Sequence, residues 1–323
     1  MGRIAYIKPS WRIVNGGDFR PCFGPPDMFP FLPRNSVKGV RILLDERAVR
    51  PGDLEAPQRR FLDRYRTWQR FHHGPRRESQ PLLRALPRYP DCVLVAGCQR
   101  SGTTMLTRLI AGARAFRPLR LTSDDELDAA LALAGYVDLP TGSRYCFQTT
   151  YLNERYEEYA TLGSRQKLLW VIRNPHSVAY SMLHNWRRWG LNELYEASRE
   201  LAVQREPALG QGMGWPFGPS RARKACIAYV GKSAQILRIR QIVPAAQLMV
   251  IEYDEVVQQP AAWLPRIFEF IGEPYDPVYA AAVRSDSVGK ANRLPERTRA
   301  QLEQLAMPTY RECLQLRLPA TAA

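Results

Sequence analysis

Residues 92–112 combine three features that together predict a phosphate-binding loop. A short apolar run is followed by a turn between Gly97 and Gly102, and then by Thr103, Thr104 and residues with helical spacing. Successive backbone N–H groups in such a turn face an anion at the positive end of the new helix. The sequence therefore predicts strand, anion loop and helix in that order, with a phosphate as the bound group.

The cation of this loop stands before its second glycine. Loops that bind nucleoside triphosphates carry a lysine directly after that glycine, whereas this chain has Thr103 there and places Arg100 ahead of Ser101. The missing lysine weighs against a P-loop kinase. We expect Arg100 to supply the positive charge instead.

A second anion site is predicted where the apolar run 168–172 ends in Arg173. This run is typical of a buried parallel strand, an Asn-Pro pair ends it, and Ser177 is suited to begin a helix. Ser181 then lies one turn into that helix. A guanidinium fork and a hydroxyl together match a terminal phosphate dianion, so Arg173 and Ser181 are predicted to bind one phosphate.

Three consecutive carboxylates, Asp124, Asp125 and Glu126, precede an alanine- and leucine-rich run. Ser123 is predicted to cap the helix that begins there, with Glu126 at its third position. Two uses of the carboxylates stay open at this stage. One of them removes a proton from a reacting group, or all three only complement the helix N-terminus.

Predicted strands and helices alternate along the rest of the chain. The predicted strands are 92–96, 117–122, 144–149, 168–172 and 248–253. The helices predicted outside the motifs are 56–71, 152–162, 220–242, 261–271 and 295–305, and 190–219 is predicted as a long surface loop. This alternation predicts an α/β fold, a parallel β-sheet flanked by helices, with ligands at the carboxyl ends of the strands.

Three segments are predicted: residues 1–90, 91–310 and 311–323. The first is an irregular, Pro- and aromatic-rich N-terminal extension followed by an amphipathic helix, both packing on the main domain, and the last is a C-terminal tail. The aromatic stripe of the helix, Phe61, Tyr65 and Trp68, is interpreted as a core contact, with a lid or dimer surface as the alternative.

The chain has 323 residues and a net charge of +15, which indicates either a polyanionic partner or a bias toward arginine. Only six of its 46 basic residues are lysines, which favours the second interpretation. The six cysteines contain no Cys-x-x-Cys pair, so reduced thiols and no zinc site are expected. An apolar signal core and a membrane-length apolar run are not found, and a cytoplasmic enzyme is predicted.

Taken in order, the two anion motifs resemble the phosphate sites of the sulfotransferases that use 3′-phosphoadenosine 5′-phosphosulfate (PAPS). The Arg-Ser-Gly-Thr-Thr run 100–104 resembles their 5′-phosphosulfate loop, and Arg173 with Ser181 resembles their 3′-phosphate site. Residues 251–260 and 270–275 resemble the late strand and helix of the family, and 287–293 its C-terminal basic loop. The likeness is closer to bacterial carbohydrate- and tyrosylprotein-type members than to cytosolic small-molecule enzymes.

The resemblance implies a P-loop-NTPase-like sulfotransferase domain over roughly residues 91–306. Such a domain transfers a sulfuryl group from PAPS to an acceptor hydroxyl or amine and leaves adenosine 3′,5′-bisphosphate (PAP), without a metal. The acceptor is expected on a carbohydrate, lipid or natural product. The implied cofactor-binding residues are Arg100, Ser101, Gly102, Thr103, Thr104, Met105, Arg173, Ser181, Lys290 and Arg293.

The implied catalytic residues are Arg100 and one carboxylate among Asp124, Asp125 and Glu126, which serves as the general base. The four histidines do not stand at the place of the family's catalytic histidine. PAPS and the acceptor are the expected partners, nucleic acid is not expected, and a homodimer is left open. The alternatives are a P-loop kinase and a non-catalytic protein that binds a nucleotide or nucleic acid. Mg-ATP turnover would indicate the kinase. A steep salt dependence of binding, without binding of PAP, would indicate the nucleic-acid-binding protein.

The chain departs from the family at two positions. Many relatives carry a lysine in an Asp-Lys-Thr-Pro-like stretch, but residues 147–150 read Phe-Gln-Thr-Thr, so a cation near the transferred group is missing or comes from elsewhere. Met105 stands where the small-molecule enzymes place a tryptophan against adenine, which leaves the adenine partner open. Candidate acceptor-site aromatics are Trp186, Trp189 and Trp215, with core packing as the alternative.

Overall fold

Four short strands form one parallel sheet in the computed structural model, in the order β2-β1-β3-β4. The strands are β1 (Val93–Gly97), β2 (Cys146–Gln148), β3 (Lys167–Ile172) and β4 (Leu248–Glu252). Leu94 of β1 pairs with Phe147 of β2 and with Leu168 of β3, which in turn pairs with Leu248 of β4. The predicted parallel sheet is confirmed.

The structure describes residues 47–73, 81–186, 188–210, 218–283 and 288–317. These residues all belong to one compact unit of the chain, 37–323, and the predicted extension up to residue 46 lies outside them. The first helices are α1 (Ala56–Tyr65), α2 (Trp68–His73), α3 (Thr103–Ala111), α4 (Asp125–Leu133), α5 (Tyr156–Tyr159), α6 (Pro175–His184) and α7 (Arg188–Arg205). The others are α8 (Arg221–Ser233), α9 (Gln235–Ile242), α10 (Tyr253–Gln258), α11 (Pro260–Phe270), α12 (Val278–Ala282), α13 (Glu296–Leu305) and α14 (Met307–Leu314).

Helices cover both faces of the sheet because its strands are apolar except at their ends, where Gln148, Lys167 and Glu252 stand. Leu94 and Ala96 of β1 join a buried cluster with residues of α1, α2, α4 and α9. Val93 and Val95 point to the opposite face and pack with residues of α3 and α11. A third cluster is formed by α6, α7, α8 and α13 around Cys98, directly after β1.

The N-terminal helical segment packs into the first of these clusters. Phe61 stacks on Tyr136 with ring centroids 4.4 Å apart, and Trp68 is buried. The three aromatic residues therefore make core contacts, with Phe61 and Tyr65 partly buried against the cluster. The segment is two helices instead of the single one predicted for 56–71, because the helical bonding is interrupted between α1 and α2.

The prediction of a surface loop over 190–219 is wrong for its first half, where α7 lies. Leu191, Leu194, Tyr195 and Ala202 form a buried apolar face at helical spacing, while glycine and proline are concentrated only after residue 206. Residues 211–217 lie outside the described part of the chain.

Several other boundaries also differ from the sequence prediction. The segment 117–122 is not a strand, since Pro118 has no N–H to donate and only isolated bridges form at Leu119 and Phe116. The predicted helix 152–162 contracts to α5, and the predicted 220–242 divides at Ala234 into α8 and α9. Helix α14 follows the predicted final helix and runs through residue 310, where a tail had been expected to begin.

We predict that Gly231→Ala destabilises the protein by about 1–3 kcal/mol, because overpacking strains a close helix contact. A Cβ at Gly231 in α8 would stand 2.3 Å from the backbone oxygen of Ser198 in α7. Urea unfolding followed by circular dichroism measures the change. Gly52→Ala is the control, since nothing lies within 4 Å of its Cβ position. Equal stabilities of the two variants would contradict the packing of α7 on α8.

Candidate functional site

The loop between β1 and α3 has a strained backbone. Arg100 has φ 73°, the one positive φ at a non-glycine position among the described residues, and Gly102 has φ 97°. A non-glycine residue in this region costs about 1–3 kcal/mol and occurs most often at functional sites. The N–H of Ser101 donates to the Cys98 oxygen at 3.1 Å, which closes the turn and leads into α3.

Tyr253 lies against both predicted anion sites. A Cβ at Gly102 would come within 2.0 Å of the Tyr253 ring, so only glycine fits there. The same ring carries the guanidinium of Arg173 at 4.3 Å from its centroid, which is a cation–π contact. Tyr253 follows β4 directly, so the first residue after β4 contacts the segments that follow β1 and β3.

The two predicted phosphate sites touch each other. Nε of Arg100 donates a hydrogen bond of 3.0 Å to Oγ of Ser181. Arg173 is buried, and its Nε donates to Oδ1 of Asp254 at 3.0 Å. Burial raises the pKa of Asp254, although the charge of Arg173 acts against this. The structure therefore brings Arg100, Arg173 and Ser181 into one group. The sequence predicted Arg173 and Ser181 together in one site and Arg100 in a separate one.

The last residue of β2 joins the carboxylate helix to the phosphate loop. Nε2 of Gln148 donates to Oε1 of Glu126 at 2.7 Å and to Oγ1 of Thr103 at 3.0 Å. Gln148 and Thr103 are buried. Glu126 is therefore held at the start of α3, beside the loop that carries Arg100.

The pKa of Glu126 is raised to about 8, mainly by burial and then by the negative charge of Asp124. The side chain of Thr150, which lies beside the carboxylate, and then the positive charges of Lys232 and Arg100 offset part of this shift. Oε2 of Glu126 is buried and makes no hydrogen bond of normal geometry among the described residues. A carboxylate with a raised pKa and an unused buried oxygen is suited to accept a proton.

The other two carboxylates have structural partners. Asp124 caps α4, accepting from the N–H groups of Glu126 and Leu127, and also from Nε1 of Trp68 at 2.8 Å. Asp125 pairs with Arg108 at 2.7 Å and Arg120 at 2.9 Å. These contacts single out Glu126 among the three predicted candidates.

The predicted cap at Ser123 is wrong, and Asp124 takes that place. Asp124 has the extended backbone of a cap residue, and its carboxylate reaches two N–H groups of the first turn. Ser123, one residue earlier, is exposed. Either side chain suits a cap, so residue type alone did not decide between adjacent positions.

Lys232 of α8 is a buried cation that the sequence motifs did not indicate. Its side chain is 3% exposed, and Nζ lies 3.5 Å from Oε2 of Glu154. The neighbouring Asn153 donates to the Gly97 oxygen at 2.8 Å, which ties this region to the end of β1. The only available signal was a lysine among buried apolar residues of α8, in a chain with few lysines.

The remaining predicted residues lie on several other elements. Thr104 and Met105 are in the first turn of α3, where Met105 packs against the cluster shared with α11. Lys290 and Arg293 form a short 3₁₀ helix, Lys290–Arg293, that contacts α6, the helix of Ser181. Trp186 packs against the third cluster, while the side chain of Trp189 and all of Trp215 lie outside the described residues.

Family comparison assigns the class of the protein. A model of the sulfotransferase domain matches residues 90–301, which is more than half of the chain. The chain therefore belongs to the sulfotransferase family, and its function is the transfer of a sulfuryl group. This confirms the family resemblance carried by the two anion motifs. A search of curated protein sequences found no match.

Solved structures with this fold include three sulfotransferases, each 16% identical to the chain. The sulfotransferase domain from the curacin biosynthetic pathway covers 72% of this chain and 100% of its own, with a TM-score of 0.41. A mouse sulfotransferase complexed with PAP covers 73% and 93%, with a TM-score of 0.43. A sulfotransferase from Alicyclobacillus acidocaldarius covers 70% and 96%, also with 0.43.

The described residues contain no cluster of three or more side chains able to hold a metal ion. Every helix within them is too short or too polar to cross a bilayer.

We predict that Asp124→Ala lowers the free energy of unfolding by about 1–2 kcal/mol, because α4 loses its cap. Ser123→Ala is the matched control and should change stability by less than about 0.5 kcal/mol, as for an exposed surface position. Chemical unfolding of both variants tests this. A larger loss at Ser123 than at Asp124 would contradict the assigned cap.

Proposed function

We propose that this sulfotransferase uses PAPS as its donor and sulfates a hydroxyl or amine of an acceptor. The observation that carries the proposal is the hydrogen bond between Arg100 and Ser181, which puts two anion-suited groups side by side. PAPS has phosphates at both ends of its ribose and needs two such groups within one nucleotide's reach. It would supply the sulfuryl group and leave as PAP.

The residues of the loop fit a bound 5′-phosphate. Ser101 has a buried hydroxyl without a hydrogen-bond partner among the described residues, and Gly102 gives the loop the left-handed turn that leads into α3. Arg100 and the N–H groups at the start of α3 supply positive potential there. Thr103, Thr104 and Met105 would line the same end of the nucleotide.

Arg173 and Ser181 would hold the 3′-phosphate. Arg173 is fixed from two sides, by its ion pair with Asp254 and by the ring of Tyr253. A guanidinium held in one orientation loses less entropy on binding than a mobile side chain. Lys290 and Arg293, which adjoin α6, would add positive charge to this end.

Glu126 is the proposed general base. Its Oε2 takes the proton of the acceptor O–H while the acceptor oxygen forms its bond to sulfur. Arg100 stabilises the charge left on the phosphate oxygen when the bond of that oxygen to sulfur breaks. Lys232 contributes buried positive charge near Glu126, where residues 147–150 lack the lysine of many relatives.

The acceptor class, the bacterial carbohydrate-type subgroup, the cytoplasmic location and a homodimer stay predictions from the sequence. No contact among the described residues favours the kinase or the nucleic-acid-binding alternative. A kinase loop binds its triphosphate with a lysine after the second glycine. This loop carries Arg100 ahead of Ser101 instead, an arrangement that suits the phosphosulfate of PAPS better than a triphosphate.

We predict that PAP binds the wild-type protein. Arg100→Ala and Ser181→Ala should each weaken this binding, since each removes a hydrogen bond to a charged group. The loss of affinity should be about 10-fold or more for Arg100→Ala. Arg173→Lys keeps the charge but loses the fork and should also bind more weakly. Isothermal titration with PAP measures all three variants.

Arg240→Ala controls for the loss of one positive charge. Arg240 is exposed on α9, which precedes the amino end of β4, whereas the candidate site lies at the carboxyl ends of the strands. This variant should bind PAP like the wild type. A wild-type protein that does not bind PAP would overturn the proposed function, whatever the variants do.

We predict that Glu126→Gln keeps PAP affinity but lowers turnover by about 100-fold or more, the usual contribution of a general base. The kcat/KM of the wild type should rise with pH through a midpoint near about 8 and level off above it, because the base must be deprotonated in the free enzyme. Labelled PAPS and an acceptor found by screening provide the assay.

Asp125→Asn is the control for this prediction, since Asp125 is paired with Arg108 and Arg120 and should contribute little to turnover. Equal activity of Glu126→Gln and wild type, or a pH-independent kcat/KM, would assign the base elsewhere.

A further inference from the structure

Gln148 makes the one direct connection between the proposed base and the phosphate loop that the described hydrogen bonds contain. It is the last residue of β2 and is 2% exposed. Its Nε2 donates to Oε1 of Glu126 and to Oγ1 of Thr103. These three residues come from β2, α4 and the first turn of α3.

The two oxygens of Glu126 are placed differently by this contact. Oε1 accepts the Gln148 bond at 2.7 Å, while Oε2 is buried and makes no hydrogen bond of normal geometry among the described residues, with the Thr150 side chain beside the carboxylate. A carboxylate fixed through one oxygen presents the other in a defined direction. Pre-organisation of this kind lowers the reorganisation needed at the moment of proton transfer.

We propose that Gln148 is a positioning residue for sulfuryl transfer. It anchors Glu126 to the first turn of α3 through Thr103 and, being neutral, directs Oε2 to the acceptor proton without forming an ion pair. The inference rests on the proposed role of Glu126 as the base.

The neutrality of Gln148 matters because its amide is in hydrogen-bond contact with the carboxylate of Glu126. An ammonium in contact with Glu126 would favour the ionised form and weaken it as a base. A primary amide donates the same kind of hydrogen bond but adds no charge.

Other charged and titratable groups also face Glu126 and must be held constant in a test. They are Asp124 on its own helix, Lys232 on α8, Arg100 in the loop and the thiol of Cys98 after β1. None of these residues changes in a Gln148 variant. A shift in the titration of Glu126 would therefore report on Gln148 itself.

The test is an NMR titration of protein labelled with ¹³C at the glutamate carboxyl carbons, without ligand, with Glu126→Gln assigning the signal. Gln148→Lys should lower the Glu126 midpoint by about one pH unit or more, because it adds an opposite charge in contact. Gln148→Leu should raise the midpoint, because the ionised form loses a hydrogen bond. Opposite shifts from one position are not expected of a general loss of stability.

Gln241→Lys is the charge control. Gln241 is exposed near the end of α9, which precedes the amino end of β4, away from the carboxyl ends of the strands. It should leave the midpoint unchanged. The kcat/KM profile of Gln148→Lys should shift to lower pH in parallel with its NMR midpoint. A thermal unfolding scan of each variant confirms that the folded protein is compared.

Unchanged midpoints in both Gln148 variants, together with PAP binding by the wild type and an inactive Glu126→Gln, would overturn the inference and leave the proposed function standing. Failure of the proposed function has a different signature. In that case the wild type does not bind PAP, and Gln148 loses its role in transfer whatever the midpoints are.

Discussion

The close packing of the Tyr253 ring is the contact on which the site depends. The ring fills the space beside Gly102 and supports the guanidinium of Arg173, so it sets the distance between the loop after β1 and the loop after β3. In a parallel sheet these loops meet at the same edge, but the sheet alone does not fix their spacing. Tyr253, at the start of α10 directly after β4, provides that spacing without adding charge.

The buried charges of the site are arranged so that most of them are compensated. Arg173 pairs with Asp254, and Lys232 with Glu154. An uncompensated buried charge is strongly destabilising, so these pairs keep the cations in place before any ligand binds. The Glu126 carboxyl group has no such ion-pair partner among the described salt bridges; instead, burial and the charge of Asp124 favour its neutral form. The site can therefore hold a base beside several cations without forming a strong ion pair with any of them.

Much of this site follows from local sequence patterns, because both anion motifs are continuous segments at strand ends. The loop, Arg173 and Ser181 were predictable for that reason. The contacts of Gln148 and Lys232 were not, since each depends on which elements lie side by side. The wrong prediction at α7 has a related cause. Glycine and proline occur at the end of 190–219, and the loop that they indicate was assigned to the whole segment, although the apolar spacing of its first half is helical. Residues that are close in the sequence can therefore be assigned a role from the sequence alone, whereas contacts between distant residues can be assigned only once the packing of the elements is known.

Arg100 differs from the other two cations of the site. Its described hydrogen bond goes to the neutral hydroxyl of Ser181, whereas Arg173 and Lys232 each contact a carboxylate. Its backbone is also the strained one, which a stable fold keeps only where surrounding contacts enforce it. A guanidinium that is held in a strained loop and hydrogen-bonded to a neutral hydroxyl has no carboxylate partner among the described ion pairs, so its charge is available to an anion. An arginine ahead of Ser101 therefore lies beside Ser181, in the second predicted anion site, which explains its place better than a lysine after Gly102 would.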